Sequence, residues 1–104
     1  MGYEDKVFRA LADPTRREIL ALLRGGKYSV GDLAANFSIS RPAISKHLRL
    51  LRDAKLVRDT PVGTARLCEL NPEPLRTVDS WLDAYKQFWD RSLTRLKAHV
   101  EKNR

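Results

Sequence analysis

Ser38-Ile39-Ser40-Arg41-Pro42-Ala43-Ile44-Ser45-Lys46-His47-Leu48-Arg49-Leu50-Leu51-Arg52-Asp53-Ala54 is the stretch whose reading decides how this chain folds. Ser38-Ile39-Ser40 is a three-residue break, and Ser40 can cap a helix running to about Ala54. On a wheel at about 100° per residue, Ile44, Leu48 and Leu51 fall in one narrow stripe. Pro42, Lys46, Arg49 and Asp53 lie opposite, with Arg41, Ser45 and Arg52 along one flank. An apolar back with a basic, hydroxyl-bearing front suits a helix that rests on a core and meets phosphate or base edges.

Upstream, Glu4 to Leu11 reads as a short helix with Val7, Phe8 and Leu11 on one side. Asp13 can cap a second helix and Pro14 suits its first turn, where no amide donor is needed. Ile19, Leu20, Leu22 and Leu23 give that helix a broad apolar face, which Gly25-Gly26 ends. Ser29-Val30-Gly31-Asp32 fits a capping box, Ser29 reaching forward and Asp32 back. It opens a third helix over about 30–37 that buries Leu33, Ala34 and Phe37.

Downstream, Leu56 to Asp59 and Ala65 to Leu70 are two short strand candidates, with Thr60 to Thr64 as the hairpin tip between them. Asn71 can cap a terminal helix whose first turn tolerates Pro72 and Pro74. From there to about Lys102 the apolar positions are Leu75, Val78, Leu82, Tyr85, Trp89, Leu93, Leu96 and Val100, spaced alternately by three and four. Trp81 and Phe88 widen the stripe. Such a helix is about 43 Å long at a rise near 1.5 Å per residue, and residues 1–71 form too small a body to cover it. An uncovered apolar stripe with two tryptophans marks a partner surface, here a second copy of the chain, the alternative being a helix that folds back on its own domain.

The charge sits where a polyanion would need it. The chain carries 20 basic and 13 acidic residues, a formal +7. Residues 38–66 hold Arg41, Lys46, Arg49, Arg52, Lys55, Arg58 and Arg66 against only Asp53 and Asp59, a local +5. The flanking segments are each near balance. A polyanion-binding surface would carry this distribution, and so would a solvated helix face biased toward lysine and arginine.

Composition bounds the rest. At 104 residues the chain is one domain, a mainly α body at 1–71 with a small hairpin, followed by the helix of 72–104. An apolar share of 42% supplies a small core and is too large for a disordered tail. No apolar run reaches the roughly 18 residues of a membrane span, and the start MGYEDKVFRA is too acidic and broken for a signal peptide, so the expected location is cytoplasmic. One cysteine, Cys68, excludes an internal disulfide and a multi-thiolate site within one chain. Enzymatic signatures are missing: there is no glycine-rich phosphate loop or nucleophile elbow. Ser45 and His47 point about 200° apart on one helix and cannot form a base–nucleophile pair.

Helix, break, helix and basic hairpin make a winged helix-turn-helix, and the residues resemble those of the ArsR-type bacterial repressors. Asp13-Pro14-Thr15-Arg16-Arg17 followed by Ile19-Leu20-x-Leu22-Leu23 carries the likeness. So do Leu33-Ala34, Ser40-x-Pro42-x-Ile44-Ser45-x-His47-Leu48 and Leu51-x-x-Ala54-x-Leu56-Val57. It runs without an evident gap from about residue 7 to 70. Two positions depart from the family pattern. Ser38 stands where glycine is usual in the turn, and Gly63-Thr64-Ala65-Arg66 keeps only the second arginine of the usual wing motif.

The resemblance implies a homodimeric, sequence-specific transcriptional repressor on an inverted-repeat DNA operator. DNA contact then falls to Ser40, Arg41, Pro42, Ser45, Lys46, His47, Arg49 and Arg66. Dimerisation falls to Leu75, Val78, Trp81, Leu82, Tyr85, Trp89, Leu93 and Leu96. Where metal sensors of the family place paired cysteines, this chain reads Ser29-Val30-Gly31-Asp32-Leu33. The terminal helix offers Asp79, Asp83, Asp90 and His99 with no second His or Glu three residues after His99. The expectation is therefore the non-metal-sensing branch, with no metal or cofactor and no effector indicated. Two other readings compete: a winged-helix docking module for proteins, and a sequence-tolerant architectural DNA-binding protein.

Overall fold

The computed structural model describes the backbone of residues 2–102 and the side chains of 2–89 and Val100. The elements in chain order are α1 (Tyr3–Leu11), α2 (Pro14–Leu23), α3 (Val30–Ala34), α4 (Arg41–Asp53), β1 (Val57–Val62), β2 (Ala65–Leu70) and α5 (Leu75–Lys102). The fold is mainly helical with one antiparallel hairpin, a winged helix-turn-helix followed by a long C-terminal helix. Val7, Ile19, Leu33, Ile44, Leu48, Leu51, Leu56 and Cys68 are fully buried, one or more from each of the first four helices and from the sheet.

The helix starts form as their cap residues dictate. Asp13 Oδ2 accepts from the Arg16 amide at 3.1 Å, Ser29 Oγ from the Asp32 amide at 3.0 Å and Ser40 Oγ from the Ala43 amide at 3.3 Å. Each bond satisfies an amide that has no partner inside its helix. Asp32 does not complete the expected capping box: among the described residues its carboxylate makes no return bond. The third helix is also shorter than expected. The amides of Asn36 and Phe37 bond the carbonyls three residues back, Leu33 and Ala34, so the chain tightens after Ala34. Phe37 nevertheless packs against the core. Ser38 keeps an ordinary negative φ, so this turn does not require the glycine usual there.

α4 ends in a Schellman motif built on lysine. The Leu56 amide reaches back to the Leu51 carbonyl at 3.0 Å and the Lys55 amide to Arg52 at 2.9 Å. This places Lys55 at φ 62°, the single non-glycine residue with positive φ among those described. Leu51 and Leu56, both fully buried, supply the hydrophobic contact of the motif.

The strand pairing runs from Val57↔Leu70 to Val62↔Ala65. The expected five-residue tip is thus a two-residue turn, Gly63-Thr64, with Gly63 at φ 62° as the first position of such a turn requires. Pro61 lies within β1, opposite Arg66. On the other side of β2, Tyr28 exchanges both backbone bonds with Cys68. The terminal helix begins later than expected. Asn71 Oδ1 accepts from the Glu73 amide at 3.4 Å, and its Nδ2 donates to the Lys55 carbonyl at 2.8 Å. Asn71 therefore caps a tight turn at Pro72–Pro74 and ties it to the end of α4. The α-helix proper starts at Leu75.

Candidate nucleic-acid interface

The helix-turn-helix consists of α3 and α4, with Ile44, Leu48 and Leu51 holding α4 on the core by its back. Its front is open: Arg41, Pro42, Lys46 and Arg49 are exposed, and Ser45 is half-buried. Ser40 sits at the N-terminus, where the helix dipole and free amides favour an anion. The Arg41 guanidinium lies over α3 at Gly31, about 3.8 Å from where a side chain there would begin. Gly31 thus leaves the arginine room in the angle between the two helices.

The structure divides the seven central cations into two groups, which the sequence could not do. Arg52 places Nε and Nη2 at 3.1 and 3.0 Å from Asp59 Oδ1. Arg58 bonds Glu69, its direct cross-strand partner, at 3.3 Å, and Thr60 donates to the same carboxylate oxygen at 2.7 Å. These bonds hold Glu69 below its usual pKa, the Thr60 hydroxyl first and Arg58 second. Arg41, Lys46, Arg49, Lys55 and Arg66 make no ion pair among the described residues.

Strand alternation assigns Arg66 its side. Arg66, Cys68 and Leu70 share one face of β2, and their partners on β1 are Pro61, Asp59 and Val57. Asp59 bonds Arg52 of α4, and the Cys68 sulfur lies 3.8 Å from Arg52 Nη2. The wing thus presents Arg66 on the face that meets α4. Cys68 itself is buried, which raises its thiol pKa despite Arg52 nearby. It behaves as a small core residue.

His47, expected among the DNA contacts, lies against the start of α2. Its side chain is 22% exposed, with Nδ1 3.3 Å from Arg16 Nη1 and 3.9 Å from Asp13 Oδ2. A guanidinium has no acceptor, so in that hydrogen bond the imidazole nitrogen accepts. Arg16 at the same time donates through Nε to the Ala10 carbonyl at 2.8 Å and through Nη2 to Arg9 at 3.0 Å. One side chain of α2 therefore satisfies the end of α1 and braces α4. Asp13 is held below its usual pKa chiefly by the Arg16 amide, with the Arg16 charge adding to it.

The apolar stripe of α5 also divides. Leu75 and Val78, expected on the partner surface, are half-buried and pack against the chain's own core. Trp81 meets Phe8 of α1 edge-on, ring centroids 5.7 Å apart at 71°, and lies 5.0 Å from Tyr85. Trp81 is still 53% exposed, Phe88 63% and Trp89 51%, with Tyr85 exposed and Leu82 half-buried. Leu93 and Leu96 lie outside the residues whose side chains are described, as do Asp90 and His99. Asp79 and Asp83 both bond Lys86, at 2.6 and 3.1 Å. No group of three metal-ligating side chains occurs among the described residues.

Comparison with known proteins agrees with this architecture. Residues 13–59 match the model of the bacterial regulatory protein, arsR family. The HTH-type transcriptional regulator Rv2034 of Mycobacterium tuberculosis is 46% identical over 90 residues, covering 86% of this chain and 81% of that one. The transcriptional repressor SdpR of Bacillus subtilis is 42% identical over 78 residues, covering 75% and 87%. The solved structure of an ArsR-like transcriptional regulator from Rhodococcus sp. RHA1 superposes with a TM-score of 0.73 at 35% identity, over 91% of this chain and 90% of that one. With α3 and α4 forming the helix-turn-helix and β1–β2 its wing, the chain belongs to the ArsR family of bacterial DNA-binding transcriptional regulators.

Proposed function

We propose that the protein is a cytoplasmic, homodimeric repressor that reads an inverted-repeat operator and is not an enzyme. The observation that carries this reading is that Arg41, Lys46 and Arg49 on α4 and Arg66 on the wing are exposed and make no ion pair among the described residues. The N-terminus of α4 enters the major groove, bringing Arg41, Pro42, Ser45 and Lys46 to base edges. Ser40's end of the helix, Arg49 and Arg66 lie on phosphate. His47 serves as a brace behind the interface. Tyr85, Phe88 and Trp89, with the outer side of Trp81, meet the second copy. Two copies of α4 then address half-sites about one or two helical turns apart.

Arg41 reads a base, since a guanidinium can bond guanine O6 and N7 together. Footprinting on DNA upstream of the chain's own gene identifies an operator, and binding to that duplex is compared with a scrambled one. Arg41→Ala costs about 1–3 kcal/mol on the operator and relaxes specificity at one base pair per half-site. An equal loss on both duplexes would make Arg41 a phosphate clamp. Equal wild-type affinity for both would favour a sequence-tolerant architectural protein.

A further inference from the structure

A cavity of about 160 Å³ lies where α1, α2 and α4 meet. Lys6, Arg9, Arg16 and Asp53 form its walls, with Ala10 and Leu50 supplying apolar surface. Cavities of about 150 Å³ accept benzene, so there is room here for one small organic molecule and too little for a nucleotide. The lining carries three cations against one carboxylate.

Arg16 makes the site more than a basic dent. Its guanidinium has five N–H donors in a rigid fork. Three are engaged, on the Ala10 carbonyl, the Arg9 carbonyl and His47 Nδ1. Those bonds fix the group in place, and two donors remain. A guanidinium already immobilised loses little further freedom on meeting a carboxylate, the partner its geometry suits.

We propose that this cavity binds a small organic monocarboxylate with an apolar body about the size of a benzene ring. The carboxylate accepts from Arg16 with Lys6 beside it, and the body rests on Ala10 and Leu50. Asp53 disfavours a second negative charge, which selects monoanions over dicarboxylates. Leu50 and Asp53 belong to α4, so an occupant touches the helix whose front carries Arg41 and Lys46.

The test is a ¹H–¹⁵N NMR titration of the full chain, without DNA, using benzoate as probe and benzyl alcohol as its uncharged counterpart. Benzoate is expected to shift amides at residues 6–10, 16 and 50–53, saturating with a Kd of about 1 mM or tighter. Benzyl alcohol binds roughly tenfold more weakly, and Lys6→Glu weakens benzoate about as much. Leu50→Trp, which fills the cavity, abolishes the shifts. No saturation by about 20 mM benzoate would overturn the proposal. So would equal binding of the alcohol, indifference to Lys6→Glu, or shifts confined to the exposed aromatics of α5.

Discussion

Arg52 of α4 holds Asp59 of the wing through two nitrogens on one carboxylate oxygen, at 3.1 and 3.0 Å. Both side chains are about a third exposed, so the pair contributes at most about 1 kcal/mol to stability. Its larger effect is geometric. It ties the base of the hairpin to α4, beneath the face that carries Arg66.

Because Arg52 is paired with Asp59, it is expected to stay out of the phosphate contacts. Arg49→Gln and Arg66→Gln are each expected to flatten the plot of log affinity against log salt by about one unit per subunit. Arg52→Gln leaves that slope unchanged. Fluorescence anisotropy on a scrambled duplex across a salt series measures all three. An equal flattening by Arg52→Gln would place its guanidinium on DNA.

Lys55 occupies a backbone region that costs a side chain about 1–2 kcal/mol and glycine nothing. Glycine returns part of that gain through the freedom of its unfolded chain. Lys55→Gly should therefore raise stability by about 0.5–1 kcal/mol in urea unfolding, with the hairpin and α4 intact. A loss would mean that the lysine side chain does more than tolerate its position.

The exposed aromatics of α5 should bury in a dimer. Sedimentation is expected to show a dimer at micromolar concentration, and Trp89→Ala to weaken it by about 3–5 kcal/mol, the cost of truncating a buried aromatic. Trp81→Ala should also lower monomer stability, because it removes the edge contact with Phe8. A monomeric wild type at tens of micromolar would refute this assembly.

Asp13 and Glu69 are both held below their usual values of 3.8 and 4.5 in the folded chain. A depressed carboxylate contributes stability that is complete above its unfolded pKa and disappears as pH falls through the folded one. Thermal melts should thus hold steady down to about pH 5 and decline below it. Asp13→Asn should lower the melting temperature at neutral pH and flatten the acid decline. An unchanged decline would show that the Asp13 cap does not drive acid unfolding.

What was legible in the sequence was local. Ser40 as cap, Ile44, Leu48 and Leu51 as the inward stripe, and the exposed front of Arg41 and Lys46 all follow from spacing along one helix. What was not legible depends on register or on contacts distant in the chain. The neutralisation of Arg58 needs Glu69 opposite it, which a one-residue slip would undo. The contact of His47 with Arg16, 31 residues earlier, cannot be read from the spacing along α4. Leu75 and Val78 continue the periodicity of Trp81 and Trp89, and only the tertiary packing separates the inner turns from the outer ones. Pro61 reads as part of the hairpin tip, although an edge strand can carry proline.

Pro61 has a consequence for solubility. Cys68 turns both of its backbone groups toward Tyr28, so Asp59 and, two residues on, Pro61 direct theirs away from β2. A proline there sacrifices no bond of the hairpin and removes a donor from the sheet's outer rim. Arg58 and Asp59 add charge along the same strand. That rim is where a stray strand of another molecule could add itself and start a fibril, and a missing N–H beside two charges gives it little to grip.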